Sequence, residues 1–187
     1  MSVHEASADG IESVLDFWFD ELKPSQHFAN DPALDDDIGV RFSGLHTQAA
    51  ASELWRWRDC LDGRLAEIIL LDQFSRNIYR DQPAAFASDP LALCLAQAAV
   101  RLQLDRQLPP TRRAFLYMPY MHSESRAIQA ESVRLFNQVG MEDNYRFAIH
   151  HRDIVERFGR YPHRNRILGR ESTPEEEAFL LEPGSSF

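Results

Sequence analysis

The chain has 187 residues, 44% of them apolar, with twelve Phe, five Tyr and three Trp. That is length for one domain and enough core material to exclude intrinsic disorder, with roughly 70% of the unfolded chain's surface buried on folding. Its 29 acidic residues outnumber 20 basic ones, for a net charge of −9. A negative surface repels phosphate, which argues against general nucleic-acid binding. Lys23 is the lone lysine beside 19 arginines; genomic base composition explains that bias as readily as oxyanion binding does.

Helix signals dominate in chain order. Residues 1–10 are polar, carry no apolar core of a signal peptide, and read as a flexible N-terminus. Residues 11–22 place Ile11, Val14, Leu15, Trp18, Phe19 and Leu22 at helical spacing. Asp31-Pro32 is an N-cap with Pro at the first position. It opens a helix to about Ala51 with Leu34, Ile38, Phe42 and Leu45 inward. Trp55 and Trp57 follow on a short segment, where core burial is weighed against a dimer interface. Next comes residues 64–80, whose Ile68–Leu71 run also resembles a buried strand but lacks a turn after it.

Ser88-Asp89-Pro90 opens an Ala/Leu-rich helix to about Asp105, and Pro109-Pro110 another through Met118. A helix from Ser123-Glu124 to about Val139 stops at Gly140, and residues 143–158 stop at Gly159. Thr173-Pro174-Glu175-Glu176 is a capping box opening a short last helix that ends before Pro183. The sum is a single all-α domain of seven to nine helices with essentially no β-sheet. No run approaches the roughly 18 apolar residues of a membrane span, so a cytoplasmic protein is expected. Cys60 and Cys94 form no CxxC pattern. Cys94, in the Ala/Leu run, reads as a small buried hydrophobe.

The candidate chemistry is concentrated in three places. Residues 64–80 begin apolar all round and end with Asp72, Gln73, Arg76, Asn77 and Arg80 on one side. Either the helix emerges into solvent there, or a polar pocket opens inside the protein. His122 and Glu124 sit at a helix start, and His151 falls within the stripe of Ala148, Val155 and Phe158, as a core histidine or a site residue. The bend at residues 158–170 gathers Arg160, His163, Arg164, Asn165, Arg166 and Arg170 around two glycines and a proline. Arg76, Asn77, Arg160, Arg164 and Asn165 have the donors for a carboxylate or phosphate fork. Equally, these arginines can pair with Asp72 and Glu124 and cap helix ends. No metal-ligand spacing, phosphate loop, dinucleotide fingerprint or Gly-x-Ser-x-Gly elbow is present, so no metal and no cofactor are expected.

Leu71–Asn77, Phe86–Asp89, His122–Glu124, Ser132–Phe136, Arg157–Asn165 and Leu168–Glu176 together resemble the bacterial domain-of-unknown-function 924 family. The likeness runs over nearly the whole chain, with Ser75 standing where the family pattern usually has Pro. It implies a tetratricopeptide-like antiparallel helical packing and no particular activity. It marks Asp72, Gln73, Arg76, Asn77, His122, Glu124, His163, Arg164 and Asn165 as the residues of interest. The reading is a helical protein with one internal polar cleft, lined by the Asp72–Arg80 stripe, His122, Glu124, His151 and the Arg160–Asn165 bend. It takes a small anionic ligand or a protein partner, with nucleic acid and membrane excluded. Two alternatives stand beside it. One is a hydrolase pairing His122 or His151 with Glu124 or Asp72. The other is a buried polar network that only fixes helix packing.

Overall fold

The computed structural model describes residues 3–186, with side chains from residue 9 onward. The expected flexible segment, residues 1–10, falls partly on residues 1 and 2, outside the described residues; from Val3 the backbone is helical. The fold is all-α, with no strand among the described residues. Helix α1 (Val3–Asp16) runs on through a π turn, Phe17–Glu21, and is followed by α2 (Pro32–Ala50). Helix α3 (Leu61–Ile69) continues through a second π turn, Leu70–Phe74, into α4 (Ser75–Ile78). Then come α5 (Asp89–Arg101), α6 (Pro110–Met121), α7 (Arg126–Phe136), α8 (Glu142–Phe158) and α9 (Pro174–Leu180). These nine segments form eight rods, because α3 and α4 are continuous.

Local chemistry accounts for most boundaries. The Asp31 carboxylate accepts from the Ala33 and Leu34 N–H groups at 3.0 and 3.4 Å, satisfying donors that a helix start leaves orphaned. Thr173 and Glu176 form the reciprocal capping box at α9. Gly159, at φ 72°, ends α8 in the left-handed conformation that glycine adopts without strain.

Several boundaries differ from expectation, among them the end of α5, at Arg101 and not near Asp105. Helix α6 runs through Pro119 to Met121 instead of stopping at Met118. Helix α7 starts at Arg126 and ends at Phe136, not at Ser123 and Val139. Ser123 Oγ instead accepts from the Ser125 N–H at 3.2 Å and caps the linker. That frees His122–Ser125 as a connection between two helices.

The core is built around α3. Leu65, Ala66, Ile68, Ile69, Leu70 and Leu71 are all 0% exposed. So is Glu67 among them, its carboxylate held by Arg58 at 2.7 and 2.8 Å, so the run is buried on every side but is not wholly apolar. Helices α1, α5 and α6 pack on it, and consecutive helices α5 to α8 pack as neighbours. Phe17, Phe42 and Phe74 meet with centroids 4.9 to 5.9 Å apart, tying α1 and α2 to the π turn. A smaller cluster of Ile154, Val155, Tyr161 and Phe179 joins α8, the following bend and α9.

Two expectations fail here, the second of them in part. Cys94 is exposed, because its position on α5 faces away from the buried stripe of Ala92, Leu95, Ala96 and Ala99. Of the two tryptophans, Trp57 enters the core but Trp55 is 56% exposed. The stretch Pro83–Arg101 is long and apolar enough by composition to pass for a membrane span. Its helix proper, however, has 13 residues. That is about 20 Å at 1.5 Å per residue, short of the roughly 30 Å hydrocarbon layer, and it packs on α3 and α6.

Candidate functional site

The change of texture in residues 64–80 coincides with the π turn Leu70–Phe74. A π turn breaks the regular i→i−4 ladder and so frees carbonyl groups, a feature common at functional sites. Here the Asp72 carbonyl accepts from Arg76 NH1 at 2.6 Å. The Asp72 carboxylate, 0% exposed, accepts from Gln73 Nε2 at 2.5 Å and lies 3.4 Å from Arg76 NH1. Its other partner is the residue just after α6, His122, whose Nδ1 sits 2.7 Å from Asp72 Oδ1. The stretch therefore does not emerge into solvent, since Asp72, Gln73 and Asn77 are buried. Asp72, Gln73, Arg76, Asn77 and Arg80 are held by partners, however, and none of them lines the cleft described below, contrary to the expected lining.

Asp89, in the first turn of α5, gathers two arginines. Arg76 binds it with both terminal nitrogens, at 2.9 and 3.0 Å. Arg164, from the 3₁₀ turn Pro162–Arg164, reaches it at only 3.4 Å and donates to the His122 carbonyl at 3.0 Å. The Arg164 guanidinium lies between two rings, 4.6 Å from the Phe86 centroid and 4.7 Å from that of Tyr161. Arg76, His122 and Arg164 are thus joined through direct hydrogen bonds into one site. Beside it opens a cleft of about 440 Å³. Its walls are Pro83, Phe86, Pro90, Leu93, Pro119 and Leu168, and its polar groups Asp89, His122, Ser123, Glu124 and Arg164.

Electrostatics sharpen the roles. Burial pushes the Asp72 carboxyl up, but His122 and Arg76 outweigh it and hold it well below the usual carboxylate range. For His122, burial and then the Arg76 charge lower the imidazole below its ordinary value, against the pull of Asp72. The ring is neutral at pH 7, and because a carboxylate only accepts, the proton sits on Nδ1. Burial and Arg76 likewise push the Arg164 guanidinium down. Arg164 is 5% exposed, its counter-ion Asp89 is already held by Arg76, and its Nε is buried with no acceptor among the described residues. A buried donor left unmade costs about 1–3 kcal/mol, so this arrangement needs a reason.

The remaining candidates are used elsewhere. Arg160 turns to α9 and holds Glu176 through two bonds of 2.7 and 2.8 Å, so it is no part of an anion fork. Asn165 donates to Ser172 and Glu176 and accepts from Arg170, stitching the C-terminal loop. Asn77 joins Arg80 on Asp35 of α2, a separate cluster on the far side of the π turn. Glu124 lines the cleft, but Arg170 grips it at 2.7 and 2.9 Å and the Tyr161 N–H donates to it. It therefore makes no hydrogen bond to His122; Asp72 does. His151 is buried on α8, its Nδ1 2.8 Å from the Phe147 carbonyl, and burial lowers it to about 3. His163 leans on the Tyr161 ring at 5.6 Å, and burial, then Arg164, bring it to about 4. Neither His151 nor His163 lines the cleft.

Reading the chain alone missed Asp89, Phe86 and Tyr161. Asp89 reads locally as a helix opener, which it is. The available signal was the Phe86–Asp89 string, one of the family-like blocks left without a role.

Residues 14–184 match the profile of a family described as bacterial protein of unknown function, DUF924. Among solved structures, a protein of unknown function from Agrobacterium tumefaciens is similar at 39% identity and a TM-score of 0.88, covering 96% of this chain and 99% of that one. A search of curated proteins finds no match.

Proposed function

The chain belongs to the bacterial family of unknown function DUF924, and we propose that its cleft binds a small anionic ligand. Arg164 carries the reading. A guanidinium is buried, clamped between two rings and left with a counter-ion that another arginine already holds at 2.9 Å. An entering carboxylate or phosphate would give the terminal nitrogens a stronger partner than the 3.4 Å contact to Asp89. The apolar walls, Phe86, Pro90, Leu93, Pro119 and Leu168, suit a ligand with a compact apolar body behind that anionic head. A volume of about 440 Å³ suits a small metabolite. The purely structural alternative is supported outside the cleft, where Arg160–Glu176 and Arg80–Asp35 are closed pairs, and at its wall, where Arg170 closes on Glu124.

Thermal unfolding with benzoate, phenylacetate, phenyl phosphate and succinate tests this reading. Ligand at 100 times its Kd stabilises by about 2.7 kcal/mol, a rise of roughly 5–10 °C for a chain of this size. Leu93→Trp fills the cleft from an intermediate surface position and should abolish the shift without unfolding the protein. Arg164→Met should do the same through the charge. Equal shifts in wild type and Leu93→Trp for every anion refute the proposal.

A further inference from the structure

Resting on the reading of the cleft as an anion site, we infer that it hydrolyses a small carboxylic ester bearing an anionic group, with His122 as general base toward water. The argument is geometric. Asp72 is 0% exposed and takes His122 Nδ1 at 2.7 Å, so the nitrogen left over on this cleft-lining residue is Nε2, with its lone pair. The second Asp72 oxygen is held by Gln73 Nε2 at 2.5 Å, which stops the carboxylate from turning away. Asp72 touches nothing in the cleft and acts as a positioning residue. A neutral imidazole oriented by a buried carboxylate is a base ready at pH 7.

Among the charged and titratable groups around that ring is Glu124, which lines the same cleft with its carboxylate held by Arg170. Asp72 and Asp89 raise its proton affinity and Arg76 lowers it, while Arg164 touches its carbonyl. His151 and His163 also interact with it, and both are held neutral at pH 7. The single hydroxyl among the cleft-lining residues is Ser123, whose Oγ accepts from the Ser125 N–H and makes no hydrogen bond to His122. The nucleophile is therefore water. His122 Nε2 takes a proton from it while its oxygen bonds to the ester carbonyl carbon. The tetrahedral intermediate then breaks its bond to the alcohol oxygen, which leaves with the proton returned from Nε2. One water is consumed, and one acid and one alcohol form. Arg164 holds the anionic group of the acid.

The test uses 4-nitrophenyl hydrogen succinate, an anionic ester, beside neutral 4-nitrophenyl acetate, on the full chain. Wild type should hydrolyse the anionic ester saturably and in preference to the neutral one. His122→Asn should lose about 100-fold or more in rate while benzoate still raises its melting temperature. Asp72→Asn should slow turnover and move the acid limb of the pH–rate profile to lower pH, since the charge that raises the ring's affinity is gone. A merely structural aspartate would not move that limb. If Asp72→Asn does not fold, the His122→Asn comparison decides alone. If benzoate protects both proteins but wild type is no faster than His122→Asn on either ester, this inference falls and the binding reading stands. If neither ester nor benzoate is bound, both fall.

Discussion

Glu176→Gln isolates one charge in the stitch that closes the C-terminal bend. The Glu176 carboxylate accepts two bonds from Arg160 and the Thr173 N–H at 2.8 Å, and it is 2% exposed. Arg160, offset by burial and aided by Thr173, brings its pKa from 4.5 down to about 2. Taken whole, that difference is a ceiling of about 3.4 kcal/mol. Arg160 is 28% exposed on its side chain, so water screens the pair and the charge contributes about 1.5–2 kcal/mol at pH 7. Gln keeps an acceptor for Thr173, so the cap survives and only the charge is lost. The melting temperature at pH 7 should fall by about 3–8 °C. The sign with pH follows from the depressed pKa. Stabilisation is complete above about 4.5 and is lost as pH falls toward 2. Urea melts followed by circular dichroism at pH 7 and pH 3 should therefore show a gap that narrows in acid. A gap below about 0.3 kcal/mol at pH 7, or one equal at both pH values, refutes the reasoning.

Tyr161→Phe removes a hydroxyl that donates to the Met121 carbonyl at 2.5 Å and accepts from Gln129 at 2.7 Å, in a 0%-exposed position. Chemical denaturation should show a loss of about 1–2 kcal/mol. A Cβ on Gly63 would lie 2.1 Å from the Trp57 carbonyl oxygen, so Gly63→Ala should cost about 2–3 kcal/mol through forced backbone displacement. Gly44→Ala, in the middle of α2 with nothing within 4 Å, should instead stabilise by about 0.5–1 kcal/mol. Thermal melts of the pair check both signs.

The helices were legible because their signals are short-range. Asp31 caps bonds two and three residues away, Thr173 and Glu176 close a box over three, and Gly159 ends α8 by its own backbone freedom. The largely apolar run of α3 likewise announced a central helix. Chain order also placed Arg76, His122 and Arg164 on a shortlist, and they do meet. Arg160, Asn77 and Asn165 shared that shortlist with equal claim on residue type. Their acceptors, Glu176, Asp35 and Ser172, are named only by the packing. Cys94 shows the same limit, since the step of about 100° between neighbouring residues on α5 decides buried or exposed.

Composition, periodicity and caps thus determined an all-α chain, the helix ends that carry a local cap, and a handful of charged candidates. These depend on forces acting within a few residues. Which arginine is left with an unclaimed donor was decided only by tertiary structure. Asp89 is 13 residues from Arg76 and 75 from Arg164, and His122 is 50 from Asp72. Ion pairs and dyads over such separations are chosen by helix packing, which brings the groups together and excludes the water that would otherwise screen them.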